Sequence, residues 1–130
     1  LVREGFELIQ SREAEIVDTI KRVLIDFCRR DGVAKESFSD ILVTRFNLSY
    51  PSLSRIFSEI EGRSIENYYM MLRVERVKEL IKYRQLSFSE IADQLGYSSV
   101  AHLSRQFKQY TGLTPSQFRE IGCRRPLPEV

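Results

Sequence analysis

The chain has 130 residues and a mass of 15.3 kDa, the size of one domain or two very small ones. A composition of 42% hydrophobic and 29% charged residues can build a core and excludes a disordered chain, and no apolar run approaches the roughly 18 residues that cross a bilayer. Twenty Lys and Arg against eighteen Asp and Glu leave a net charge of +2, which neither announces nor excludes a nucleic-acid partner, because only a local patch matters.

Residues 1–10 stand apart from the rest of the chain. Gly5-Phe-Glu-Leu-Ile9 alternates as a strand would, yet a lone strand has no partner here. This stretch is expected to be a frayed lead-in or the end of an upstream domain. The chain opens on Leu1 rather than Met, which fits a fragment of a longer protein, and no secretory leader is visible.

From Ser11 onward the punctuation is helical. Ser11 caps a first helix whose apolar stripe is Ile16, Val17, Ile20, Val23, Leu24 and Phe27. Ser37 and Phe38 open a short second helix, and Ser49 a third, with Pro51 tolerated in its first turn. Ser64 starts the longest, running to about Tyr83. Ser87 with Glu90 forms a capping box for the fifth helix, and Ser99 caps a sixth through Tyr110. Thr114, Pro115 and Gln117 combine an N-cap, an N1 proline and an N3 glutamine for the seventh. Gly32, Gly62, Gly96, Gly112 and Gly122 each fall where a periodic run ends, as helix stops do. The prediction is an all-α chain of about seven helices. Its parts are a first helix-turn-helix subdomain over residues 11–63, a linker helix over 64–84, a second subdomain over 85–123 and a tail over 124–130.

Catalysis has little to work with in this sequence. One histidine, His102, and two distant cysteines, Cys28 and Cys123, fit no metal-binding spacing, so no metal or cofactor is expected. The cysteines read as ordinary intracellular thiols, and the expected location is cytoplasmic. Neither a glycine-rich phosphate loop nor a nucleophile elbow is present. The chain is not expected to be an enzyme.

An internal repeat decides the reading. Residues 38–68 align without gaps on residues 88–118, with nine identities in thirty-one positions. These are Phe38/Phe88, Ser39/Ser89, Ile41/Ile91, Ser49/Ser99, Leu53/Leu103, Ser54/Ser104, Arg55/Arg105, Phe57/Phe107 and Gly62/Gly112. Each copy has the anatomy of a helix-turn-helix. In the second, Ile91 and Ala92 lie on the first helix and Gly96 makes the turn, while Leu103 and Phe107 face the core. In the first copy, sliding the turn by one residue places Val43 and Asn47 at the Ala and Gly positions. Asn is the residue other than Gly that best tolerates the left-handed conformation.

The stretch from Phe38 to Ile121 resembles the DNA-binding domain of AraC/XylS-type transcriptional regulators, over about two-thirds of the chain. The resemblance rests on Leu53-Ser-Arg-Ile-Phe57 with Gly62, Arg73 in the linker helix, and Glu90-Ile-Ala92 with Gly96-Tyr-Ser-Ser99. It continues through Leu103-Ser-Arg-Gln-Phe-Lys108, Gly112-Leu-Thr-Pro-Ser116 and Phe118-Arg119. Ala101, His102 and Leu103 depart from the family's common Ser-Tyr-Phe, and Val77 from its common Ala. The resemblance implies two subdomains on a rigid linker helix, with recognition helices in successive major-groove segments of double-stranded DNA. It also makes Arg73 a structural residue and names RNA polymerase as a candidate partner, with oligomers formed through the amino-terminal region or a missing one.

The expected base contacts are Tyr50, Pro51, Ser52, Ser54 and Arg55 in the first unit and Val100, Ala101, His102, Ser104 and Arg105 in the second. Arg55 and Arg105 lead, because a guanidinium grips guanine O6 and N7 with two hydrogen bonds. Tyr50, Pro51, Val100 and Ala101 offer apolar contact to a thymine methyl, although local packing explains them as well. Ser49, Ser99, Thr114 and Ser116 lie at helix starts suited to phosphate, with capping the competing role, and Lys108 and Arg119 are expected on the DNA backbone.

A protein-interaction module that has lost DNA binding is the alternative, favoured by the small net charge and by Glu59 and Glu61 late in the third helix. Residues 1–33 carry six basic and seven acidic side chains, and residues 34–130 carry fourteen and eleven, so the repeat region holds the positive excess.

Overall fold

The computed structural model describes residues 2–29, 37–84 and 86–124. Among these the chain forms seven α-helices and no strand: α1 (Val2–Arg29), α2 (Phe38–Phe46), α3 (Tyr50–Glu61), α4 (Ile65–Glu79), α5 (Phe88–Leu95), α6 (Val100–Thr111) and α7 (Pro115–Arg124). Leu80–Arg84 carry α4 onward as π-helical turns. The architecture is all-α, with two helix-turn-helix units and α4 running between them.

Three sequence expectations change. The first helix does not begin at a Ser11 cap: α1 is already helical at Val2. Without a partner strand, backbone hydrogen bonds are satisfied only within the segment, and a helix nucleated downstream extends at little cost. This makes α1, at 28 residues, the longest helix rather than the one that follows Ser64. Gly122 stops nothing, since α7 continues to Arg124 and the left-handed glycines are Gly62, Gly96 and Gly112. A glycine inside an exposed helix costs about 1 kcal/mol and is tolerated. Gly32, the side chain of Cys123 and residues 125–130 lie outside the described part.

The turns fall where capping chemistry placed them. Asn47 ends α2 in the left-handed conformation, φ 57°, its N–H donating to the carbonyl of Val43. Gly96 ends α5 differently: its N–H donates to the carbonyl of Asp93 and the N–H of Tyr97 to that of Ala92, a Schellman motif. The second turn is one residue longer before its serine cap, with Tyr97 and Ser98 where the first has Leu48 alone.

The chain divides into two compact units within α4, between Met70 and Met71. In the first, Val17, Ile20, Leu24 and Cys28 of α1 are buried with Leu42 of α2, Leu53, Ile56 and Phe57 of α3, and Ile65 and Tyr68 of α4. α1 packs on α2 and α3, as expected of a helix that completes this core. Lys21 and Glu61 close the edge at 2.7 Å, and the carboxylate holds the Lys21 ammonium protonated above its ordinary 10.5. In the second unit Val74, Val77, Leu80 and Ile81 pack with Ile91, Ala92, Leu95, Tyr97, Leu103 and Phe107.

The units repeat more than the sequence alignment showed. Phe57 meets Tyr68 at 5.6 Å and 65°, and Phe107 meets Phe118 at 5.6 Å and 68°. Tyr69 lies against Phe38 as the Arg119 guanidinium lies over Phe88. Val17, Ile20 and Leu24 recur as Val74, Val77 and Ile81, with the same spacing and all buried. Each unit is therefore a four-helix body in which the later part of α4 takes the role of α1.

Asn47→Ala should destabilise the first unit by about 1 kcal/mol and Asn47→Gly should leave it unchanged within a few tenths, since only the former adds strain at a positive φ. Urea unfolding of the three proteins checks this.

Candidate nucleic-acid interface

Each recognition helix is fixed from behind. In α3 Leu53, Ile56 and Phe57 are buried; in α6 Leu103, Gln106 and Phe107 are. The serine caps set where each helix begins: the Ser49 hydroxyl accepts from the Ser52 N–H at 3.3 Å, and that of Ser99 from the His102 N–H at 3.0 Å. Ser49 also donates to the Ser52 hydroxyl.

With that face buried, the helical repeat turns another face outward. On α6 it carries Val100, Ala101, Arg105 and Lys108, all exposed, flanked by the half-buried His102 and Ser104. On α3 the matching stripe is Pro51 and Arg55, exposed, with Tyr50, Ser52 and Ser54 half-buried. The structure thus brings the sequence-predicted residues of each helix together on one stripe.

The stripes differ in charge. Arg55 has Glu59 one turn on, 3.9 Å away, with both side chains about three-fifths exposed (61% and 59%). Gln109 stands where the repeat would place that acid in α6. Among the described residues neither the Arg105 guanidinium nor the Lys108 ammonium has a partner. Glu61 is held by Lys21 at 2.7 Å and approached by Arg63 at 3.8 Å. The acidic patch that favoured an interaction module therefore reduces to Glu59.

Several predicted residues have work within their own unit. The Tyr50 hydroxyl donates to Glu66 Oε2 at 2.6 Å. Its burial first, then that bond and the carboxylate's charge, push ionisation of the phenol well above its ordinary 10.0. Arg119 donates to the carbonyl of Leu86 at 3.2 Å and stacks over Phe88 at 4.2 Å. Thr114 and Gln117 cap α7 reciprocally, each N–H donating to the other's side-chain oxygen, and Ser116 is exposed beside them. Arg73 donates to the carbonyl of Leu95 and lies over the Tyr97 ring, which gives its structural role a form.

Sequence reasoning passed over Tyr97 and Gln106, whose hydrogen bond at 2.8 Å is buried. The one available signal was a glutamine where the first copy of the repeat has Ile56.

Residues 42–121 match the model of a family described as a helix-turn-helix domain, a span of more than half the chain. The chain belongs to the AraC-type helix-turn-helix family. One relative of this AraC-type chain is the Msm operon regulatory protein of Streptococcus mutans, 34% identical over 79 residues. That match covers 61% of this chain and 28% of the relative, so the chain spans little more than a quarter of that protein. Among solved structures, the C-terminal domain of AraT, a response regulator from Geobacillus stearothermophilus, aligns with a TM-score of 0.70 at 24% identity, covering 88% of each chain. The DNA-binding domain of AdpA, solved with a target DNA, aligns with a TM-score of 0.66 at 22% identity, covering 89% of this chain and 97% of its own. At these identities the likeness to both is one of fold.

The Tyr50 phenol should ionise well above its ordinary 10.0. A raised folded pKa means that the Tyr50–Glu66 bond stabilises fully below the ordinary value and is lost as pH climbs through the folded one. In an alkaline titration of tyrosinate absorbance, the difference between wild type and Tyr50→Phe should be absent at the ordinary value of 10.0 and appear only at higher pH.

Proposed function

We propose that this chain is the DNA-reading part of a bacterial transcription regulator, with α3 and α6 each entering the major groove of double-stranded DNA. The observation that carries the reading is the outward stripe, built twice on the same buried Leu and Phe and bearing an arginine at the same place, Arg55 and Arg105. A guanidinium one turn into such a helix suits a guanine edge, and the short side chains around it let the helix approach. Ser49, Ser99, Thr114 and Ser116 place hydroxyls and helix N-termini where phosphates would lie, and Lys108 adds a cation. Of the two cations predicted on the DNA backbone, Arg119 is the one already braced within its unit.

The two units read unequally. α6 contributes Arg105 and Lys108 with no acid in the helix, whereas α3 sets Glu59 beside its arginine. Affinity should therefore rest mainly on α6. Such a reader acts in the cytoplasm without catalysis or cofactor, and regulation runs through contact with RNA polymerase. Oligomers would form through α1 or through sequence outside this chain, since the buried positions among the described side chains of α1 begin only at Val17.

Binding to a selected duplex should weaken by about tenfold or more as salt rises from about 50 to 200 mM. Arg105→Ala should cost about 1–3 kcal/mol and relax preference at one base pair, and Arg55→Ala should cost less than half of that. Glu59→Gln should tighten binding by about twofold, because it releases Arg55 and removes a charge that repels phosphate. Fluorescence anisotropy with the selected duplex measures all four. No binding to any sequence from a randomised pool at low salt would sink the DNA reading.

A further inference from the structure

The second unit contains a cluster that the fold does not require. Tyr97, directly after the left-handed Gly96, is 6% exposed, and its hydroxyl donates to Gln106 Oε1 at 2.8 Å. The Arg73 guanidinium lies 4.1 Å from the centre of the Tyr97 ring while Nη1 donates to the carbonyl of Leu95. The ring of His102 meets that of Tyr97 nearly at right angles, 5.3 Å between centroids and 86° between planes. The Ser98 hydroxyl shares a hydrogen bond with His102 Nδ1 at 3.2 Å.

The first unit serves as an internal control. It makes its turn one residue shorter, has the exposed Leu48 after its left-handed residue where the second unit buries Tyr97, and fills the place of Gln106 with the buried Ile56. The same scaffold therefore closes with an apolar side chain. A buried polar pair contributes little net stability over such packing, and it costs stability when one partner is lost. What the pair supplies is direction, since hydrogen bonds and an edge-on ring contact hold the groups in one orientation.

We propose that Tyr97 is a positioning residue for sequence reading by α6. Braced by Arg73 of α4 and Gln106 of α6, its ring fixes the His102 imidazole at the start of the recognition helix, and Ser98 holds Nδ1. Nε2 is then the ring nitrogen presented for one hydrogen bond to a base edge. This holds in either tautomer, because Ser98 can donate to Nδ1 or accept from it. The inference rests on the DNA-reading function proposed above and adds which side chain discriminates and what aims it.

In vitro selection of bound duplexes, run on wild type and variants, tests the assignment. His102→Ala should flatten preference at one base pair by at least about fivefold, leaving other positions unchanged. Tyr97→Leu should flatten the same pair, and the double variant should be no flatter than either single one, as for groups acting as a unit. Tyr97→Phe keeps the ring and should keep the preference while losing stability through the orphaned Gln106. Ser98→Ala, an exposed change that keeps the fold, should weaken the same preference even if Tyr97→Leu does not fold. The proposal is overturned if His102→Ala lowers affinity equally for all sequences, which marks a phosphate contact. It is overturned too if Tyr97→Leu and Ser98→Ala leave the profile at that pair intact. A wild type that selects no sequence overturns the DNA reading itself, whereas a selective wild type whose profile ignores these changes overturns only the role of Tyr97.

Discussion

A leucine and a phenylalanine four residues apart, both without exposed area, hold each recognition helix: Leu53 with Phe57 and Leu103 with Phe107. Much else in each unit depends on that pair. Because i and i+4 share a helix face, burying both fixes the rotation of the helix and turns Arg55 and Arg105 to solvent. The phenylalanine then meets an aromatic of the next helix, Tyr68 or Phe118, which sets the angle at which the chain leaves. Between them Gly62 or Gly112 takes a left-handed conformation and donates to the carbonyl four residues back. Replacing either phenylalanine by alanine would remove about 3–5 kcal/mol of packing and also the reference that aims the outer face.

Duplication separates what the scaffold requires from what each copy has added. Capping serines, the Leu/Phe frame, the glycine stops and the aromatic stack are common to both units. The outward charges are not, for Glu59 sits beside Arg55 in one helix and Gln109 occupies its place in the other. Nor is the interior wholly shared, since Ile56 and Gln106 fill equivalent sites with opposite chemistry. Surface divergence has little consequence for folding, because exposed substitutions seldom move stability by more than about 0.5 kcal/mol. A buried Ile-to-Gln difference is destabilising unless a partner arrives with it, and Tyr97 is that partner.

What the sequence disclosed was chemistry that acts over a few residues. The serine caps from Ser37 onward, the capping box at Ser87 and Glu90, and the left-handed Asn47 are local devices, and the structure has them, whereas Ser11 lies inside α1 and caps nothing. The repeat was legible because both copies keep the same local devices at the same spacing. Gly122 misled because a glycine within a helix and one beyond its end look alike until the neighbouring residues are placed. The alternation at Gly5–Ile9 hid the first turns of α1, which begins at Val2 rather than at Ser11. Contacts across elements were beyond reach: nothing in the spacing of Lys21 and Glu61, or of Tyr50 and Glu66, announces that they meet. Glu59 and Glu61 look equivalent in sequence, and only the fold shows one at the surface beside Arg55 and the other held by Lys21.

The small net charge of +2 acquires a meaning on the proposed reading. Sequence-independent attraction to DNA grows with the number of phosphates neutralised, and a strongly basic chain would be held at every site in a genome. Glu59 beside Arg55 lowers that background in one helix, and Arg119, stacked on Phe88, has its guanidinium partly engaged. Occupancy of a target depends on the ratio of specific to non-specific binding, so weakening the background raises selectivity even when the best site is bound no more tightly. A chain with so little bulk charge must then draw its selectivity from directional contacts, and directional contacts need rigid aim. The buried Leu/Phe frame aims both helices, and the Tyr97 cluster adds a second constraint in the helix that carries Arg105 and Lys108.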